Sequence, residues 1–325
     1  MSGSFKKINY KVRPAKCIER KMLCEVFRRI TSFYPLENYR YVGFGSPFFS
    51  DFVLFHKNLN ISKMVSIEGE VEDRNRFIFN RPYKCIDLEF GHSTEVLPRL
   101  GWEAPNIVWL DYDGELNRDV LADIRFLMSS LIPGSVFVIS VNAHPLTKEK
   151  IPENLLPEER PAYRLSKLKD RVGEERVPID VRGRDLSEWG TALVARRIIN
   201  NEILTALSNI NGGLAQNEHI KYQQLIHFNY ADGAKMLTVG GMILNQNIEP
   251  KYQNCFFDRL DFISNADVPY LIEVPNLTFK EIRHLDRQLP QGGDLSLKVP
   301  AVPTCDIERY QKVYRFFPTF TESDI

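Results

Sequence analysis

The chain has no surplus of charge. Its 42 lysines and arginines are balanced by 42 aspartates and glutamates over 325 residues, so no global field draws it to nucleic acid or anionic membranes, and only a local basic face could do so. Long apolar runs are missing as well. None approaches the ~20 residues that span a bilayer, and the opening MSGSFKKINYKVRP has no apolar core of a signal peptide. The expectation is a soluble cytoplasmic protein with no membrane partner. Cysteine is sparse. Cys17, Cys24, Cys85, Cys255 and Cys305 are scattered without a C-x-x-C pair, which argues against a disulfide framework and against a cysteine zinc site. Also absent are the G-x-x-x-x-G-K-[ST] phosphate loop, the H-E-x-x-H metal helix, internal repeats and low-complexity tracts.

What is present centres on Tyr39 to Glu68, YRYVGFGSPFFSDFVLFHKNLNISKMVSIE. A short apolar run leads into Gly43-Phe44-Gly45-Ser46, an amphipathic segment follows, and a second apolar run from Met64 to Ile67 ends on Glu68. That order reads as strand, glycine turn, helix, strand, acid. Its logic is that of a nucleotide site: glycines admit a ligand close to the backbone, the helix start offers free N–H groups, and the acid can accept the hydrogen bonds of a ribose diol.

Before this stretch, Pro14 opens a helix to about Phe33, with Ile18, Met22, Val26 and Ile30 on one apolar stripe. Its Arg20, Lys21, Arg28 and Arg29 read first as a solvated face and second as a phosphate-binding surface. After Glu68 a helical stretch runs to about Phe79, and a strand spans Lys84 to Leu88. The turn Gly91-His92-Ser93 follows, with Ser93 as a candidate N-cap for a helix through Leu100. Asn106 to Leu110 is a strand ending on Asp111, Leu116 to Leu131 a helix, and Val136 to Val141 a continuously apolar strand. Such strands alternating with helices imply a parallel sheet covered on both faces. Residues 145–186 are proline-rich, then basic, and read as a substrate lid at the ligand-bearing edge. Ser187 opens a helix closed by Gly212-Gly213, and two extended runs, Lys221 to Asn229 and Lys235 to Asn245, flank an Asp-Gly turn. Thr278 caps a helix to Leu289, the loop Pro290 to Asp294 follows, and Tyr310 to Phe320 is aromatic-rich.

These features together resemble the class I S-adenosylmethionine-dependent methyltransferases, whose sheet has five parallel strands and then a hairpin that inserts its last strand antiparallel. More closely, RPAKCIERK, YVGFGSPFFSDF, SIEGE, FNRPYKCIDLEFG, IVWLDYDGEL and VNAHP resemble the bacterial family of putative O-methyltransferases over most of the chain. The resemblance implies an α/β, Rossmann-like fold with a seven-stranded, mostly parallel sheet. It implies three parts: a basic helical extension at 1–38, a methyltransferase-like domain at 39–248 with the 145–186 lid inserted, and a C-terminal extension at 249–325 packed on the same core. Cofactor binding falls to Gly43, Phe44, Gly45 and Ser46, to Glu68 and Gly69, to His92 and Ser93, and to Asp111 and Tyr112. Three positions depart from the pattern: Tyr41 stands where an acid is usual, two residues before the first glycine, Pro47 replaces a further glycine of the loop, and His92 stands where an aspartate commonly meets the adenine amine.

Asp111, Asp113, Asn142 and His144 come from the ends of neighbouring strands, where open parallel sheets bind ligands. Methyl transfer to oxygen needs the acceptor hydroxyl held by a base, for which Asp113 and His144 are candidates beside Asp111. In a second version Asp111, Asp113 and Asn142 resemble the acid, acid, asparagine ligands of magnesium-dependent catechol-type enzymes. Asp-Tyr-Asp-Gly lacks the Asn/Asp-Pro-Pro-aromatic signature of amino-group methylation, which disfavours DNA bases. Three functions stay open: O-methylation of a small or medium-sized acceptor with S-adenosylmethionine as donor, methylation of RNA or a nucleotide, and a catalytically inactive sensor or partner subunit of the same fold.

Overall fold

The computed structural model describes residues 13–147, 150–264, 267–290 and 302–318. Lys6, Lys7 and Lys11 of the basic N-terminus, the loop from Gln291 to Asp294 and the last two residues of the Tyr310 to Phe320 tail lie outside the described residues. In chain order the elements are α1 (Pro14–Arg29), β1 (Arg40–Phe44), α2 (Ser50–Leu59), β2 (Met64–Glu68), α3 (Arg74–Asn80), β3 (Ile86–Phe90), α4 (Ser93–Val96), β4 (Asn106–Glu115), α5 (Arg118–Ser130), β5 (Val136–Asn142), α6 (Arg160–Val172), α7 (Gly190–Asn211), β6 (Lys221–Asp232), β7 (Ala234–Leu244), α8 (Glu249–Gln253), β8 (Tyr270–Ile272), α9 (Phe279–Asp286) and α10 (Thr304–Val313). No helix among the described residues is long and apolar enough to cross a membrane.

The strands form one sheet in the order β3-β2-β1-β4-β5-β7-β6-β8. β1 to β5 pair in parallel, and β7 enters antiparallel between β5 and β6. This is the Rossmann-like methyltransferase arrangement, with one addition: β8 pairs in parallel with β6 and makes the sheet eight-stranded where seven were expected. Three residues are too short a run to show a period. The tight β6–β7 turn depends on Gly233, whose φ of +92° an L side chain rarely adopts.

Two apolar layers cover the sheet. One face carries α1 and α2, with Met22, Val26 and Phe27 of α1 packed in the same cluster as Phe52, Phe55, Trp109 and Phe228. The other carries α5 and α7 over Val108, Leu110, Ile139 and Val239. Local chemistry fixes several helix starts. Asn117 Oδ1 accepts from Val120 N at 3.0 Å at the head of α5, and Thr278 and Glu281 form a reciprocal capping box at α9. The helix expected from Ser187 begins at Gly190.

One irregularity shapes the ligand edge. β4 does not stop at Leu110: the four steps from Asp111 to Glu115 oppose only two of β5, from Ser140 to Asn142, so the strand bulges as it leaves the sheet. The 145–186 insert is pinned below this bulge, with Arg171 Nε donating to Leu116 O at 2.8 Å and its guanidinium paired with Glu115.

Candidate functional site

A cleft of about 330 Å³ opens beyond the carboxyl ends of β1 to β4. β1 lies between β2 and β4, so the chain's order of strands reverses here, the place where open α/β sheets bind ligands. The β1 turn contributes Phe44, Gly45 and Ser46; β2 contributes Ile67, Glu68 and Gly69; the β3 turn gives Gly91, His92 and Ser93; the bulge gives Asp111, Tyr112 and Asp113. Arg20, Asp51, Glu70 and Phe77 complete the lining.

The two glycines of the β1 turn do different things. At Gly45 a Cβ would lie 2.1 Å from Glu68 Oε1 and 2.2 Å from Ser66 Oγ, so only glycine lets the Glu68 carboxyl press against the loop. Glu68 is 2% exposed, and Ser66 Oγ donates to its Oε1 at 2.6 Å. Burial pushes its carboxyl up to about 8, with the Ser66 bond opposing. Gly43 lies outside the lining. A Cβ there would meet the Tyr41 hydroxyl at 2.6 Å and Trp109 O at 3.1 Å, so this glycine serves packing within the sheet.

Beside the bulge lies a buried charge network. Lys16 Nζ is 2.6 Å from Asp111 Oδ1 and 2.6 Å from Glu19 Oε2, donates to Tyr230 Oη at 3.1 Å, and sits 4.4 Å above the Trp109 ring. The Thr238 hydroxyl donates to Glu19, and Trp109 Nε1 donates to Ser140 Oγ at 2.9 Å, which pairs with Thr238. Burial raises the Glu19 carboxyl and Lys16 opposes that rise. Asp111 is thus held against the cleft wall by an ammonium from the first helix.

On the wall formed by the β3 turn, Ser93 is not an N-cap. α4 is capped at His92 with no side-chain bond, and the Ser93 hydroxyl donates to Asp123 of α5. The Tyr112 hydroxyl donates to the same Asp123 oxygen at 2.5 Å, and its ring meets Phe44 edge-on at 4.8 Å. Burial raises both the Tyr112 hydroxyl and the Asp123 carboxyl.

Of the residues singled out from the sequence, His144 stands apart from the cleft. It lines a separate recess of about 30 Å³ with Glu115, Arg164 and Arg171. None of the described residues of the 145–186 insert lines the main cleft either. Asp111, Asp113 and Asn142 do not make a magnesium site: Asp111 is bonded to Lys16, and Asn142 Oδ1 accepts from His144 N at 2.9 Å. Sequence reasoning missed Lys16, Glu19, Arg20, Asp51 and Asp123. A signal existed for the first three. At 100° per residue they share an arc of about 100° with apolar Leu23 and Phe27, which marks a charged strip beside the buried face without naming its partners.

A family model described as Putative O-methyltransferase matches residues 8–325. No curated protein sequence matches the chain. Among solved structures, the complex of the Haloferax volcanii Trm112 methyltransferase activator and the putative methyltransferase aligns at 15% identity over 39% of this chain, with a TM-score of 0.28. The alignment spans little more than half, 56%, of that relative. PigF with SAH aligns at 13% identity over 73% of this chain and 67% of its own, with a TM-score of 0.32. Cofactor-bound Rv0187 from MTB aligns at 12% identity over 67% of this chain and 78% of its own, with a TM-score of 0.36. At such scores the fold assignment rests on the strand order, not on these likenesses.

Proposed function

The chain belongs to the family described as Putative O-methyltransferase, and from that premise we propose that its cleft binds S-adenosylmethionine and directs the methyl group to an oxygen of a small or medium-sized acceptor. The observation that carries this reading is the contact of Gly45 with Glu68: a buried acid at a strand end, pressed against a glycine backbone at the reversal of strand order. The rest of the lining fits the same ligand. Glu68 is placed for the ribose hydroxyls, Ile67 and Phe77 offer apolar surface for an adenine ring beside the Gly91-His92-Ser93 turn, and Asp111 and Asp113 stand at the reacting end. When bound, S-adenosylmethionine supplies an electrophilic methyl carbon on a positively charged sulfur.

The chain's own residues then divide the work. Asp111, tied to Lys16, is a fixed charge on the wall. Asp113 is exposed on the bulge at the cleft mouth and is the group placed to take the acceptor's hydroxyl proton. His144, facing another recess, has no part in this reading.

A second reading, methylation of RNA, draws on one observation. α1, α10 and the segment before β8 surround a groove of about 850 Å³ with Lys21, Arg28, Arg29, Arg259, Lys312 and Arg315, beside Phe262 and Tyr314. It predicts RNA binding that falls steeply with salt.

Calorimetric titration with S-adenosylhomocysteine tests the first reading. Wild type should bind in the micromolar range, and Gly45→Ala, whose methyl displaces the Glu68 carboxyl, should weaken binding at least about tenfold. A folded wild type that binds neither S-adenosylmethionine nor S-adenosylhomocysteine refutes it.

A further inference from the structure

Two helices send opposite charges into one wall of the cleft. Arg20, from α1, is 9% exposed, lines the cleft, and its Nε has no hydrogen-bond partner among the described residues. Asp51, in the first turn of α2, lines the same wall. Its Oδ2 accepts from the Tyr41 hydroxyl at 2.5 Å. Burial raises the Asp51 carboxyl, and the nearby Arg20 guanidinium pulls it back part of the way.

The charge pattern of the lining is lopsided. Among its described residues Arg20 is the only lysine or arginine, whereas Asp51, Glu68, Glu70, Asp111 and Asp113 are all acids. A buried guanidinium with an unmade hydrogen bond is costly to keep, so its presence calls for an anion delivered from outside. A lone cation beside an oriented carboxylate is complementary to a group carrying one negative and one positive charge on neighbouring atoms. An α-amino acid has that form.

We propose that Arg20 and Asp51 are a clamp for the zwitterionic end of the ligand, Arg20 taking the α-carboxylate and Asp51 the α-ammonium. This rests on the reading of the cleft given above and specifies how it holds the amino-acid part of S-adenosylmethionine. It also accounts for Tyr41. The strand position where an acid was expected holds a phenol, and that phenol fixes the carboxylate of Asp51, so the acid comes from the following helix and not from the strand.

The test compares two ligands that share a nucleoside. S-adenosylhomocysteine carries the amino-acid end; 5′-methylthioadenosine lacks it. Calorimetry on the full chain should show wild type binding S-adenosylhomocysteine at least about tenfold more tightly. Arg20→Met and Asp51→Asn should each weaken S-adenosylhomocysteine roughly 10- to 100-fold and leave 5′-methylthioadenosine within about twofold, the range expected of a charge-assisted bond. Arg20→Lys, which keeps the charge, should recover part of the loss. Asp51→Asn keeps the size of the side chain and an acceptor for Tyr41, so it reads the clamp even where Arg20→Met fails to fold. Equal affinity of wild type for the two ligands, or equal losses for both in the variants, overturns the clamp and leaves the cleft reading intact. Binding of neither ligand overturns both.

Discussion

Glu68 should make the fold less stable as the solution turns alkaline, and Glu68→Gln should remove that dependence. Its carboxyl titrates at about 8 in the folded chain against an ordinary 4.5. The folded state therefore holds this proton more tightly than the unfolded one. Its contribution to stability is complete below pH 4.5 and is lost as the pH rises through 8. At ~1.4 kcal/mol per pH unit of differential binding, the loss between pH 6 and pH 8 is on the order of 2 kcal/mol, because titration is half complete at the upper limit. A chain of this length unfolds with an entropy that converts 1 kcal/mol into about 1.5 °C, so the effect on Tm is about 3 °C. Glutamine keeps the shape and can still accept the Ser66 hydroxyl, but it has no proton to lose. Scanning calorimetry of both proteins at pH 6, 7 and 8 should show the wild-type Tm falling about 3 °C further than that of the variant. Parallel profiles would mean that Glu68 does not titrate in this window and that water reaches it in solution.

Two further substitutions probe the rest of the cleft. Lys16→Met leaves Glu19 and Asp111 without their shared ammonium, and urea denaturation should show a loss of about 3–5 kcal/mol, as for other buried ion pairs stripped of one partner. A loss below about 1 kcal/mol would show the network to be dispensable. Asp113→Asn should lower turnover by about 10²-fold or more once an acceptor is in hand, with S-adenosylhomocysteine affinity unchanged within about twofold. A parallel loss of affinity would make Asp113 a binding group and not the base.

The strand-turn-helix-strand core was readable because its signals are local: an apolar run, glycines, an amphipathic segment, an acid. The β6–β7 hairpin was equally so, since Asp232-Gly233 names its own turn. What escaped was non-local. Lys16 and Arg20 are charged, and charge on a helix suggests solvent until the partner is known; here Asp111 is 95 residues away. Ser93, followed by Glu95, resembles a cap, but its hydroxyl is taken by Asp123, 30 residues on. His144 follows the β5 strand end as Asp111 ends the β4 core, yet past the bulge in β4 Asp113 lines the cleft while His144 shares a separate recess with Glu115. A bulge comes from pairing mismatch between two strands and has no signature in either one.

The first helix is also the last to be satisfied. Lys16 and Glu19 are synthesised before their partners Tyr230 and Thr238, which lie 214 and 219 residues later in the chain. At ~5–20 residues per second that is a wait of roughly 10–40 s, during which Lys16 can reach Asp111 but neither charge has its hairpin partner. The wall that carries Arg20 is therefore assembled only when the C-terminal hairpin arrives. A chain cut before the hairpin could form the glycine turn and Glu68 and still lack the partners that fix α1 on the cleft wall.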